Sequence, residues 1–131
     1  ALAEALLDAD PSCVQRRSAD RLAARAIVRA RRFLDAETDR VVHSSELETI
    51  TGLTRYALAR QFRAALGTSP YRYSLMRRLD RVRRALSPNA SLAEVALAAG
   101  FADQAHLSRM FKRAYGVRPA RYRALEAGGR R

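Results

Sequence analysis

The chain of 131 residues carries 25 Lys and Arg against 13 Asp and Glu, a net charge of +12 and a pI near 11.3, on an ordinary hydrophobic content of 48%. One cysteine, Cys13, excludes an intrachain disulfide and a multi-cysteine metal site, and no run of 18 apolar residues is present to span a membrane as a helix. What remains is one compact domain, or two very small ones, with a strong attraction for polyanions, either nucleic acid or anionic lipid.

Residues 1–9 have helix-forming composition, and Asp10-Pro11 ends that run because proline disfavours helix in its predecessor. The opening ALAEALLDAD lacks the basic region and apolar core of a secretory signal. It begins on Ala1 rather than Met, as a processed chain or a fragment would. Residues 10–17 read as a linker. Ser18 then caps a helix with Asp20 in its first turn, and Ala23, Ile27, Ala30 and Leu34 give it one apolar face. DAETDR (35–40) reads as a loop. A short helix is predicted near 44–51, with Ser45 and Glu48 in capping-box spacing and a stop at Gly52. A longer one runs from Thr54 to a stop at Gly67.

Ser69-Pro70 opens the next helix, which continues to about Leu86 with Leu75, Leu79, Val82 and Leu86 as its buried stripe. Ser87-Pro88-Asn89 breaks it. The pattern then returns. Ser91 and Glu94 form a second capping box before a short helix ending at Gly100, a longer helix near 103–115 ends at Gly116, and Arg118-Pro119 starts a final short helix. Short helix, glycine turn, longer helix is the helix-turn-helix arrangement, and it occurs at 44–66 and again at 91–115.

The two units are copies. LARQFRAALGTSPYRY (58–73) aligns without a gap to LSRMFKRAYGVRPARY (107–122) at an offset of 49, with eight of sixteen positions identical. Residues 1–17 sum to a charge of −1 and residues 18–131 to +13, so the positive charge lies with the repeat. The expected fold is therefore all-α, about seven helices, with two helix-turn-helix subdomains joined by a long connecting helix. The expected divisions are an N-terminal helix and linker (1–17), a first subdomain with the connecting helix (18–86), a second subdomain (87–123) and a flexible tail (124–131).

Stepping 100° per residue shows which faces point outward. In the first unit Leu58, Phe62, Ala65 and Leu66 cluster as the core face, opposite Tyr56, Arg60 and Arg63. In the second, Leu107, Phe111, Ala114 and Tyr115 lie opposite Ala105, Arg109 and Lys112, with His106 and Arg113 at the flank. Arg60 and Arg109 thus hold equivalent outward positions, and Arg offers the fork that fits guanine or phosphate. A helix over 70–86 would be about 25 Å long, which with the bodies of two small units suits a spacer for two helices reading major grooves about 34 Å apart.

These residues resemble the DNA-binding domain of the AraC family of bacterial transcription regulators. The likeness covers roughly 18–123 and is most specific over SLAEVALAAGFADQAHLSRMFKRAYGVRPARYR (91–123). SSELETITGLTRYALARQFRAALGTSPYRY and the connecting RRLDRVRRAL match as well. The resemblance implies a two-lobed domain whose recognition helices enter adjacent major grooves of double-stranded promoter DNA, usually to activate transcription. It implies contacts from Arg55, Tyr56 and Arg60 in the first helix and from Gln104, His106 and Arg109 in the second. Arg63, Ser108 and Lys112 complete the expected interface.

Ala105 departs from relatives that carry a polar side chain there. The expected setting is the cytoplasm, at the nucleoid, with RNA polymerase as a further partner and no membrane. Most relatives also carry an N-terminal effector-binding and dimerisation domain. Seventeen residues cannot supply one, so either it lies outside this chain, where it would serve dimerisation of a full-length protein, or the protein is of the short, stand-alone type. No apolar seam beyond the helical cores argues for a dimer, so the isolated domain is expected to be a monomer.

Blander readings stand beside these. Tyr56 either enters a groove or covers the short helix, and His106 is equally divided. Of the connecting-helix arginines 77, 78, 81, 83 and 84, some meet phosphate and some only water. His43 and His106 have no cysteine or paired carboxylate near them in sequence, so no metal or other cofactor is expected. No phosphate loop or catalytic constellation is present, so no enzyme is expected. The competing function is a charge-driven helical module that binds an acidic protein partner, or nucleic acid without sequence preference. Salt and sequence dependence separate the two.

Overall fold

The computed structural model describes residues 11–129, and within them the chain is all-α. Seven helices follow in order: α1 (Pro11–Ala36), α2 (Ser44–Thr51), α3 (Arg55–Leu66), α4 (Pro70–Ala85), α5 (Leu92–Ala98), α6 (Gln104–Tyr115) and α7 (Pro119–Gly128). The helix expected at 1–9 lies outside the described residues. The linker expected up to residue 17 is instead the first turns of α1. Proline at a first helical position gives up only an N–H that would be unpaired there, so Pro11 opens this helix. The tail expected from 124 is also helical as far as Gly128, because Ala124, Leu125 and Glu126 are good helix formers.

Local capping explains most of the boundaries. Thr54 accepts the Ala57 N–H at 3.2 Å to start α3, and Asp103 accepts the His106 N–H at 2.7 Å to start α6. Thr54 and Asp103 are repeat partners, as are the left-handed closing glycines Gly67 and Gly116. Ser69 starts α4 and Ser91 starts α5 in the same way. The start of α2 differs from the Ser45–Glu48 expectation. There the Glu46 carboxylate accepts the N–H of His43 at 2.9 Å while Arg40 grips it from the other side at 2.7 Å. Arg40 turns Glu46, rather than Glu48, toward the helix start. The same bonds hold the Glu46 carboxyl down at about 2, well below the usual carboxylate range.

Two hydrophobic cores result, with no buried residue in common. The first packs Ile27, Ala30 and Leu34 of α1 against Leu47, Leu58 and Phe62. The second packs Leu79 and Val82 of α4 against Ala96, Ala99, Phe101, Leu107 and Phe111. The repeat reproduces its own contacts. Phe62 meets Tyr73 edge-on with centroids 5.5 Å apart, and Phe111 meets Tyr122 edge-on at 5.6 Å. Ala65 and Ala114 differ from the helical-wheel expectation: both are exposed. In the same last turns Leu66 and Tyr115 pack against the cores, while the short alanine side chains stay open to solvent, Ala65 at the edge of a cleft facing α1.

Arg78 is the larger surprise. It is buried, with 4% of its surface exposed. Its guanidinium donates to the Ala99 carbonyl at 2.8 Å and the Gly100 carbonyl at 2.6 Å, and lies 4.3 Å from the Phe101 ring centroid. Burial lowers its pKa from the ordinary guanidinium value. That ordinary value is so high that the side chain stays charged. It meets neither phosphate nor water as a surface arginine would, because the turn between α5 and α6 closes over it.

Candidate nucleic-acid interface

α3 and α6 are the second helices of the two helix-turn-helix units. At the start of α3, Arg55 lies over the Tyr56 ring at 5.2 Å and donates to the Tyr56 hydroxyl at 3.3 Å. The two side chains form one stacked pair. Tyr56 is 74% exposed, which rules out the reading in which it covers the short helix. Arg60 and Arg63 continue the exposed face along α3. Arg60 also edges the cleft between α1 and α3, beside Gln61 and Arg31.

In α6, Gln104, Arg109 and Lys112 are exposed, as is Ala105 between them. Ser108 is half-buried. His106 is also half-buried and sets its ring edge-on to Phe101 at 5.5 Å. Its Nδ1 is shut away from solvent and meets no hydrogen-bonding group among the described residues. Packing therefore holds one edge of His106, and only the rest of the ring is free to meet a ligand. Gln104, Ser108, Arg109 and Lys112 remain on the outward side.

One cationic side chain was not signalled by the sequence. Arg118, at the start of α7, lines a shallow groove with Ser108, Arg109, Met110, Lys112 and Arg113. Its repeat partner is Ser69, which caps α4, whereas Arg118 makes no side-chain cap bond to α7. That break in capping within an otherwise faithful repeat was the available clue. Arg109, Lys112, Arg113 and Arg118 together concentrate positive charge along one side of α6, as a phosphate-tracking surface requires.

Asp103 is the acidic exception. Its exposed carboxylate caps the start of α6. Asp103→Ala is expected to cost about 1 kcal/mol of stability in a urea melt, the usual loss for an N-cap. Asp103→Asn keeps an acceptor and should lose much less. Equal losses would mean that charge, not capping, is what Asp103 supplies.

The fold and its two outward basic helices define a tandem helix-turn-helix protein. A helix-turn-helix domain family model matches residues 47–125, which takes in most of both units and the helix joining them. The chain belongs to the AraC-type helix-turn-helix family of transcription regulators. It is 28% identical over 91 residues to a probable transcriptional regulator, LumQ, of Photobacterium leiognathi, covering 69% of this chain and 37% of that protein. It is 32% identical over 88 residues to the regulator GbdR of Pseudomonas aeruginosa, covering 66% of this chain and 24% of that protein.

Among solved structures it is similar to the DNA-binding domain of AdpA, a global transcriptional factor determined in complex with a target DNA. The TM-score is 0.73 at 25% identity, over 79% of this chain and 95% of that one. The chain spans 37% and 24% of the length of these two curated relatives. The family is one of regulators rather than enzymes. Among the described residues no helix is long and apolar enough to cross a membrane.

Proposed function

We propose that this chain binds promoter DNA sequence-specifically, with α3 and α6 in two adjacent major grooves, and that it serves activation of transcription. The observation that carries this reading is the repetition of the same outward cationic position. Arg60 and Arg109 are exposed at one register of two helices that share caps, closing glycines and Phe–Tyr pairs. α4 is 16 residues long and so about 24 Å, a rod of the length that would space two reading heads. Base edges fall to Arg55, Tyr56, Arg60, Gln104 and Arg109. Phosphates fall to Arg63, Ser108, Lys112 and Arg118, with His106 presenting its unpacked edge. The reading places the chain in the cytoplasm at the nucleoid, as a monomeric reading module with RNA polymerase as its protein partner.

The test is a pair of substitutions measured on two kinds of duplex. Arg60→Ala and Arg109→Ala should each lose about 1–3 kcal/mol on a cognate site. The loss on random duplex should be much smaller. Equal losses on both would mean that these arginines touch only phosphate, and would remove the base-reading role.

A further inference from the structure

Joining two reading heads is not enough to read two grooves; the offset between the heads must also be fixed. The two cores share no buried residue, so that offset depends on what meets at the junction. Three segments meet there. From the connecting helix, Arg78 donates to the Ala99 and Gly100 carbonyls, the turn immediately before α6. On its other side Gly100 rests on the backbone of Arg40, in the loop between α1 and α2 of the first unit. A Cβ at Gly100 would lie 2.6 Å from the Arg40 Cα and 2.9 Å from its N.

The Arg40 side chain in turn ties that loop to the start of α2 and to the residue that follows α1. It bonds Glu46 of α2 at 2.7 Å and Glu37 just beyond α1 at 3.0 Å. Nearby, Tyr73 of α4 donates to Asp35 at 2.5 Å, and Arg81 donates to the Thr38 hydroxyl at 3.3 Å. The second reading head is thus held through its turn, by the connecting helix from one side and the first unit from the other.

We propose that Arg78 and Arg40 are positioning residues that set the spacing between the two DNA half-sites this chain accepts. The inference rests on the two-groove reading. Neither residue stands among the outward side chains assigned to DNA; each would act by holding a backbone segment. Arg78 holds the turn of the second unit. Arg40 holds the loop that this turn leans on. Two successive carbonyls paired to one charged fork give a fixed geometry, which a flexible linker between the units would not.

The experiment selects bound sites from a random duplex library at near-physiological salt, using the 131-residue chain, Arg78→Met and Arg40→Ala. The readout is the distance between enriched blocks. Circular dichroism first establishes that each variant is folded. Arg40 is a surface ion pair with 41% of its side chain exposed, so its loss should leave both cores intact. The unaltered chain should prefer one spacing by about tenfold over neighbours one base pair longer or shorter, and each variant should reduce that preference to about twofold or threefold, a change of the size seen for residues that touch neither ligand.

Both blocks must persist in the variants, since no assigned contact is removed. Two blocks at an unchanged, sharply preferred spacing in both variants would overturn the proposal and leave two-groove reading intact. Should Arg78→Met fail to fold or lose the second block, Arg40→Ala decides: a spread of spacings supports the proposal, a fixed one overturns it. A single block with the unaltered chain would overturn the two-groove reading and this inference with it.

Discussion

Gly100→Ala is expected to destabilise the protein by about 2–5 kcal/mol, the largest effect of any glycine replacement here. Two costs add at this position. Gly100 has φ +77°, where a side chain on an L-residue strains the backbone by roughly 1–2 kcal/mol. A Cβ would also fall 2.6 to 3.0 Å from backbone atoms of Arg40, which cannot swing aside as a side-chain tip would. Relief requires the second unit to back away from the first, an overpacking cost of roughly 1–3 kcal/mol. Gly116 separates the two contributions. It has φ +81° with nothing within 4 Å of its would-be Cβ, so Gly116→Ala should cost only the backbone share. Urea melts of the two variants make the comparison. Equal losses would mean that the close approach to Arg40 contributes nothing.

Phe111→Ala is expected to cost about 3–5 kcal/mol, the range for emptying a fully buried aromatic site. Phe111 has no exposed surface and packs against Tyr115 at 4.6 Å and Tyr122 at 5.6 Å. Both partners are only partly buried, so the site can collapse to some extent and the lower half of the range is favoured. The loss should also be local. Because the cores share no buried residue, amide exchange in α5–α7 should quicken more than in α1–α3. Phe62→Ala should show the reverse pattern. Uniform acceleration in either variant would mean that the two units unfold as one, through α4 and the Gly100 joint.

Much of this fold was legible because its boundaries are written in local chemistry. Thr54, Ser69, Ser91 and the glycines at 52, 67 and 116 act on backbone groups a few residues away, so spacing alone exposes them. The repeat gave the register of both outward faces, and Arg60, Arg63, Arg109 and Lys112 are exposed as that register requires. What was not legible depends on neighbours distant in sequence. A helical wheel gives the direction of Ala65 and Ala114 but not whether anything covers them.

Pro11 reads equally well as the end of one helix or the start of another. Arg78 could have been found: with Leu75, Leu79 and Val82 it stands at i, i+3, i+4 and i+7 on the apolar stripe of α4. Its charge argued for the surface, and the partners that reconcile that charge with burial are carbonyls some twenty residues away. The same distance hid the meeting of Gly100 with Arg40, and of Arg118 with the basic side of α6.

The measurement that tests the central claim most directly is selection of sites bound by the unaltered chain from a random duplex library at near-physiological salt. Two enriched blocks about one helical turn apart are predicted, each read by one of the paired helices. Enrichment of no sequence at all, with affinity falling steeply as salt rises, would contradict it and leave a basic helical chain held to DNA by charge alone.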